Sequence, residues 1–306
     1  MLYDIIIIGG GPAGLTAGIY TSRARLKSLL IEKAFPGGQV ATAEWVENYP
    51  GFEEGISGID LSQRIENQAK KFGLEIIQGA VTEISLHDKI KKITLEQGQV
   101  HEAKAVILSV GANPRPLNIE GEMKYRGKGV SYCATCDGAF FKGKKIAVIG
   151  GGNSAIQEAI FLTKFAEAVY VVHRRNELRA EKIVQERAFS NSKIKFIWNS
   201  VAEKIEGEDT VNALFIKNVK TGETSKLDVN GVFIYVGYNP NTEFFKNIVR
   251  FDDNNYIITD TMMATSQSGI FAAGDVRAGS LKQIAIAVGD GATAALSAEK
   301  YIEENF

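Results

Sequence analysis

The chain has 306 residues, 45% hydrophobic and 23% charged, enough for two domains with a core each. Its 35 basic and 36 acidic residues leave a net charge of -1, which excludes a general electrostatic attraction to nucleic acid or an anionic membrane. The N-terminus has no basic segment, and the apolar run Ile5–Ile8 is too short for a signal core or a membrane span, so a cytoplasmic chain is expected.

The first predicted strand runs from Tyr3 to Ile8. Gly9, Gly11 and Gly14 follow at GxGxxG spacing, with Pro12 and Ala13 inside the loop, and a helix opens at Leu15. In this arrangement one glycine makes the tight turn, the second lets a pyrophosphate approach the backbone, and the third brings helix and strand together. The helix N-terminus adds free N–H donors and a partial positive charge. A second strand, Leu29–Ile31, ends at Glu32, where a carboxylate can accept hydrogen bonds from ribose hydroxyls. This βαβ unit predicts a dinucleotide site on a parallel sheet.

Further on, a buried strand from Val106 ends in Val110-Gly111-Ala112-Asn113-Pro114. The pattern returns at Val232–Pro240, which ends in Val236-Gly237-Tyr238-Asn239-Pro240. These two strand ends are the expected domain crossings.

Between them lie the chain's two cysteines, Cys133 and Cys136, followed by Asp137. A structural zinc takes about four ligands, and His87, His101 and His173 stand apart from the pair and from each other. In a cytosolic chain a structural disulfide is uncommon, so the CxxC spacing points to redox chemistry. By residue type alone Asp137 could cap a helix start.

A second strand–loop–helix follows: Lys145–Ile149, then Gly150, Gly152, Asn153, Ser154 and Ala155 as a GxGxxA loop, then a helix. The next strand, Val169–Val172, ends in a basic group, His173, Arg174 and Arg175, with Arg179 beyond it. Arginine forks suit a 2′-phosphate that a carboxylate would repel, so this site reads as NADP(H). The final stretch, Gly269–Asp275 and a helix over Ile284–Tyr301, has nothing of its own to pack on. It is expected to return to the first domain, making the second an insertion. Trp45 and Trp198 are read as packing residues, and His87 and His101 as surface or core residues.

Taken together, GGGPAG at 9–14, GGQ at 37–39, VENYPGF at 46–52, CATCDG at 133–138, GGGNSA at 150–155, HRRNELRAEK at 173–182 and GIFAAGD at 269–275 resemble the low-molecular-weight, bacterial-type thioredoxin reductases from end to end. The resemblance implies an α/β fold of two Rossmann-like, three-layer dinucleotide-binding domains. Residues 1–114 and 241–306 would bind FAD, and the inserted residues 115–240 would bind NADPH and carry the CxxC. It implies FAD contacts from Gly38, Gln39 and Asn48, from Gly274 and Asp275, and from Lys282, Gln283 and Ile284. Cys136 would face the flavin, Cys133 would attack the disulfide of thioredoxin, and Asp137 would manage the thiol proton.

A homodimer, and rotation of the inserted domain between two arrangements, are also implied. Ser268 and the Lys282-Gln283-Ile284 segment depart from the usual family pattern near the flavin. Two other readings share the fold. One is a flavoprotein reductase of another dithiol or of a peroxiredoxin-type partner, a group that usually carries an extra N-terminal domain before the first fingerprint. The other is a flavin-binding sensor without turnover, which would need neither the CxxC nor the basic cluster.

Overall fold

The computed structural model describes residues 2–43, 45–245 and 247–306. The chain divides into two compact units, Met1–Asn113 with Asn239–Phe306, and Pro114–Tyr238. The crossings therefore fall one and two residues earlier than the expected 114/115 and 240/241.

The first unit begins with β1 (Leu2–Ile8), α1 (Pro12–Arg23), β2 (Ser28–Glu32), α2 (Gly58–Lys71), β3 (Glu75–Gln78), β4 (Val81–His87), β5 (Ile90–Leu95) and β6 (Val100–Leu108), and the chain leaves through β7 (Ala112–Pro114). The second unit contains β8 (Val130–Ser131), α3 (Ala134–Asp137), β9 (Lys145–Ile149), α4 (Asn153–Leu162), β10 (Ala168–Val172), α5 (Lys182–Phe189), β11 (Ile194–Ile197), β12 (Ser200–Gly207), β13 (Val211–Asn218), β14 (Thr224–Asp228) and β15 (Gly231–Ile234). The chain returns through β16 (Tyr238–Pro240), which pairs with β7, and ends with β17 (Ile270–Ala272) and α6 (Ile284–Asn305).

Among the described residues, the first unit has a sheet in the order β3-β2-β1-β6, parallel throughout, with β17 parallel to the second half of β6 and the β4–β5 hairpin antiparallel to its first half. The second unit has a parallel sheet in the order β11-β10-β9-β15-β8, with β12, β13 and β14 as a separate antiparallel sheet. The internal repeat seen in the sequence is thus a repeat of topology, since β1, β2, β3 and β6 correspond to β9, β10, β11 and β15.

Each sheet is covered on both faces, as parallel sheets require. On β1, Ile5 and Ile7 face a cluster with Leu15, Ala294 and Ala298, while Ile6 and Ile8 face one with Leu29, Val106 and Phe245. On β9, Ile146 and Val148 pack with Ile156 and Phe233, and Ala147 and Ile149 pack with Ile205, Leu214 and Ile216. Trp198 stacks on Phe196 as a packing residue, with ring centroids 5.0 Å apart. Trp45 packs over Gly55, where a side chain would displace it, while keeping 39% of its surface exposed.

The small residues of α6 serve close packing against α1. A Cβ on Gly291 would overlap the carbonyl oxygen of Ala13, whereas Gly289, on the same helix, is exposed with open space beside it. Substituting alanine should therefore separate the two positions in urea unfolding. Gly291→Ala should lose about 1–3 kcal/mol through overpacking against backbone. Gly289→Ala should gain about 0.5–1 kcal/mol from helix propensity.

Candidate functional site in each nucleotide-binding unit

In the first unit the loop after β1 is shaped by two close approaches. Gly9 has φ +103°, a conformation that glycine tolerates, and a Cβ there would press on the Ser109 carbonyl. A Cβ on Gly14 would overlap the carbonyl oxygen of Gly9. The Ser109 hydroxyl donates to the carbonyls of Ile8 (3.0 Å) and Gly9 (2.9 Å), tying the end of β6 to the loop. Gly11, the N-cap of α1, has open space where a side chain would stand, and no side chain caps the helix. That gap at a helix N-terminus is the cradle a pyrophosphate needs.

Glu32 stands beside this cradle, as expected. Its Oε2 accepts the Gly10 N–H at 2.6 Å and its Oε1 the Ala34 N–H at 3.0 Å. Each oxygen keeps acceptor capacity for a hydroxyl. Gly38 lies over Gly11, 3.1 Å from its Cα to a Cβ built on Gly38. Gln39 donates to the Asn113 side chain at 2.6 Å, and Asn113 donates to that of Asn241 at 3.1 Å. Asn48 donates to Gln283 at 3.2 Å, at the start of α6, and Ile284 packs at the edge of the core.

Gly274 sits against Ala13 of the first loop. Burial pushes the carboxyl pKa of the neighbouring Asp275 up, partly offset by the Lys282 ammonium and the Ser280 hydroxyl. Lys282 itself has φ +55° and holds its ammonium 5.0 Å from the centre of the Tyr256 ring. The structure thus gathers Gly9, Gly11, Pro12, Ala13, Gly14, Glu32, Gly38 and Gly274 around one loop, and joins Asn48 to Gln283 in a second group.

The second unit repeats the loop with different chemistry. Gly150 approaches the backbone carbonyl of Tyr235, Gly152 is the uncapped and open N-cap of α4, and Ala155 is fully buried. Asn153 exchanges hydrogen bonds with Glu181, its amide donating at 3.0 Å and its carbonyl accepting the Glu181 N–H at 2.7 Å, and Ser154 is exposed. The ring of His173 fills the space over Gly151. His173 is 4% exposed, and its Nε2 has no hydrogen-bond partner among the described residues. Burial, and then the charges of Arg179, Arg175 and Arg174, hold its pKa below the usual range. Those three arginines are exposed, and among the described residues none of them is in an ion pair. An orphaned buried nitrogen under three uncommitted guanidinium groups fits a phosphate ester.

The cysteines form a disulfide with Cα atoms 5.3 Å apart, Cys133 being the N-cap of α3. Both are partly exposed. The Ser131 hydroxyl accepts the Cys133 N–H at 3.0 Å and donates to Asp137 Oδ2 at 2.6 Å. Asp137 thus ends α3 instead of starting it. It stands at the N-cap of the following 3-10 turn, Gly138–Phe141, with no capping bond from its side chain, so the cap reading does not hold. The Tyr235 hydroxyl accepts the Ala134 N–H at 2.5 Å. Burial, the Glu158 charge and other neighbours raise its pKa far above the ordinary tyrosine range, so it stays neutral. One residue after β15 therefore meets both the redox turn, through its side chain, and the second loop, through its carbonyl.

Of these residues, the sequence marks Asn113, as part of an expected crossing, but not Ser131, Tyr235 or Asn241. Asn241 lies next to the second Asn-Pro ending, which could have marked it. Ser131 and Tyr235 carried no signal. No helix among the described residues is long and apolar enough to cross a membrane.

A disulfide on a nucleotide-binding unit, in a chain with a second such unit, defines a nucleotide-linked disulfide oxidoreductase. Residues 3–291 match the pyridine nucleotide-disulphide oxidoreductase family. The thioredoxin reductase of Peptoclostridium acidaminophilum is 47% identical over 311 residues, which cover 100% of this chain and 98% of that protein. Two solved thioredoxin reductases, each 48% identical and matched over 99% of both chains, are those of Streptococcus pyogenes MGAS5005, with TM-score 0.95, and of Lactococcus lactis in its FR conformation, with TM-score 0.68. The chain belongs to the bacterial-type thioredoxin reductases within that family.

The depressed pKa of His173 has a consequence for folding. The unfolded imidazole takes up its proton near 6.5, and the folded one only at lower pH. This group's contribution is whole above pH 6.5 and falls as the pH drops through 6.5 towards the folded value. Urea unfolding at pH 7.5 and pH 5.5 should show wild type losing more stability on acidification than His173→Asn.

Proposed function

We propose that the chain is an NADPH-dependent, FAD-containing reductase of the disulfide of thioredoxin or a thioredoxin-like protein, acting in the cytoplasm as a homodimer. The observation that carries this reading is the Cys133–Cys136 disulfide, held between Ser131 and Tyr235 in the unit that also bears the arginine cluster. The first loop, Glu32, Gly38, Gln39, Asn48, Gly274, Asp275, Lys282, Gln283 and Ile284 would hold FAD. Gly150, Gly152, Asn153, Ser154, Ala155 and His173 would hold NADPH, with Arg174, Arg175 and Arg179 on its 2′-phosphate. Bound there, the two cofactors supply a two-electron path from the nicotinamide to the disulfide.

The chain's own residues do the rest. Two electrons and two protons open Cys133–Cys136 to a dithiol. Cys133, as thiolate, attacks one sulfur of the partner disulfide, and the bond breaks as the other partner sulfur leaves and takes a proton. The Cys136 thiolate then attacks Cys133 Sγ, restoring the disulfide and releasing the second partner thiol. The partner gains the two electrons that the pair loses. Asp137 accepts and returns the proton that makes each thiolate, and its bond to Ser131 keeps the carboxyl next to the turn. With the sulfurs three residues apart on one turn, resolution needs no rearrangement of the chain.

We also propose that the unit Pro114–Tyr238 rotates during turnover, hinging near Asn113-Pro114 and Tyr238-Asn239-Pro240. The cysteine pair and the nicotinamide would each need the flavin, and Cys133 also needs a protein partner. Supporting this, solved relatives of equal identity and coverage match at TM-scores as different as 0.95 and 0.68.

NADPH-dependent reduction of thioredoxin should disappear in Cys133→Ser and in Cys136→Ser. Activity that survived in Cys133→Ser would reverse the assignment of the attacking sulfur. The triple variant Arg174→Ala, Arg175→Ala, Arg179→Ala should lower the preference for NADPH over NADH by about 100-fold or more, read as the ratio of kcat/KM values. A covalent crosslink between the two units should stop turnover while leaving one half-reaction intact.

A further inference from the structure

The first loop, the turn at Gly274 and the middle of α6 meet at Ala13. A Cβ on Gly274 would come within 3.0 Å of the Ala13 side chain, and one on Gly291 would overlap the Ala13 carbonyl. At this junction lies Asp290, 7% exposed on a helix made mostly of small and apolar residues. Its Oδ2 accepts the Gly274 N–H at 3.0 Å and Arg277 Nε–H at 2.8 Å, and its Oδ1 accepts Arg277 Nη2–H at 3.0 Å. Arg277 in turn donates from Nη1 to Thr259 Oγ1 at 2.7 Å.

We propose that Asp290 and Arg277 are positioning residues for the flavin site, a carboxylate–guanidinium clamp that holds the two ends of the turn carrying Asp275. The inference rests on the reading of the first unit as an FAD site. One carboxylate grips the residue before Asp275 and the residue two places after it, so the turn is held at both ends and the direction of the Asp275 side chain is set. The same helix begins with Gln283, bonded to Asn48, and lies against the first loop at Gly291. Movement at Asp290 would therefore reach the groups assigned to FAD through Asp275, through Gln283 and through Ala13. A fully hydrogen-bonded, bidentate pair suits this use, because its geometry is specific where apolar packing is adaptable. Outer residues that orient a ligand's contacts commonly affect its affinity without touching it.

The structural alternative is that the pair only staples α6 to the sheet. Flavin-free protein would be titrated with FAD by fluorescence, and its thermal midpoint measured with and without saturating FAD. Asp290→Asn keeps an acceptor for the Gly274 N–H but loses the ion pair. It should weaken FAD binding about tenfold or more and shrink the midpoint rise that FAD produces, while NADPH binding to the second unit stays at the wild-type level. Arg277→Lys keeps the charge and one hydrogen bond and is the milder variant should Asp290→Asn fail to fold. It should weaken FAD binding about threefold or more. FAD affinity within twofold of wild type in the folded variants, with the midpoint lowered equally with and without FAD, would overturn the proposal in favour of the staple. Wild-type protein that does not bind FAD at all would instead refute the assignment of the site.

Discussion

Helix α1 begins against the strand it has just left because nothing projects from Gly14 into the carbonyl of Gly9. That absence fixes the loop. With helix and strand in contact, the first-turn N–H groups gather around the gap at Gly11, and the dipole of α1 points at the same place. Ser109 locks the arrangement from β6, and Glu32 locks it from β2. In the second unit Ala155 takes the corresponding place with its side chain fully buried, and Gly150 makes the tight approach, to Tyr235. Glu32, Gly38 and Gly274 stand around the first of these loops, and His173 lies over Gly151 in the second.

The two units share a topology and differ in what stands at the end of the second strand. After β2 there is a carboxylate that already accepts two backbone N–H groups. After β10 there is a neutral, buried imidazole under three exposed guanidinium groups. Two units of like topology thus place opposite charge at the end of the second strand. This is the physical content of selectivity between a free ribose hydroxyl and a phosphorylated one. The redox turn is built into the second unit by neutral donors and acceptors, Ser131 and Tyr235, and the carboxylate of Asp137 is hydrogen-bonded to it through Ser131.

Much of this was legible in the sequence, where backbone geometry demands particular residues. Glycine spacing, apolar strands and the repeated Val-Gly-x-Asn-Pro endings located both βαβ units and the return of the C-terminal segment to the first unit. The Arg174, Arg175 and Arg179 cluster stood out because charge at that position in a βαβ unit has few other uses. The limits were also physical. Tyr235 follows a buried strand and looks like core until its hydroxyl is seen to hold the Ala134 amide. Asp290 looks like an isolated polar residue in an apolar helix until Gly274 and Arg277 are brought to it across the fold. Asp137 looked like a cap because aspartate favours helix starts, yet here it closes a helix that Cys133 begins.

The shared topology has one irregularity. In each unit a strand runs beside β6 or its counterpart β15: β17 in the first unit and β8 in the second. In the second unit this strand is the first that the chain makes, and in the first unit it is the last, so the parallel strands of the two sheets are circular permutations of one another. The inserted unit has all of its strands once residue 234 has been made. The outer unit still lacks β17, and the helix α6 that covers α1, until the chain is almost finished. During synthesis from the N-terminus, the half that bears the disulfide can therefore close its core while the half with the first loop still exposes Leu15 and Ala17 to solvent, and the segment from Ile270 to Phe306 completes it.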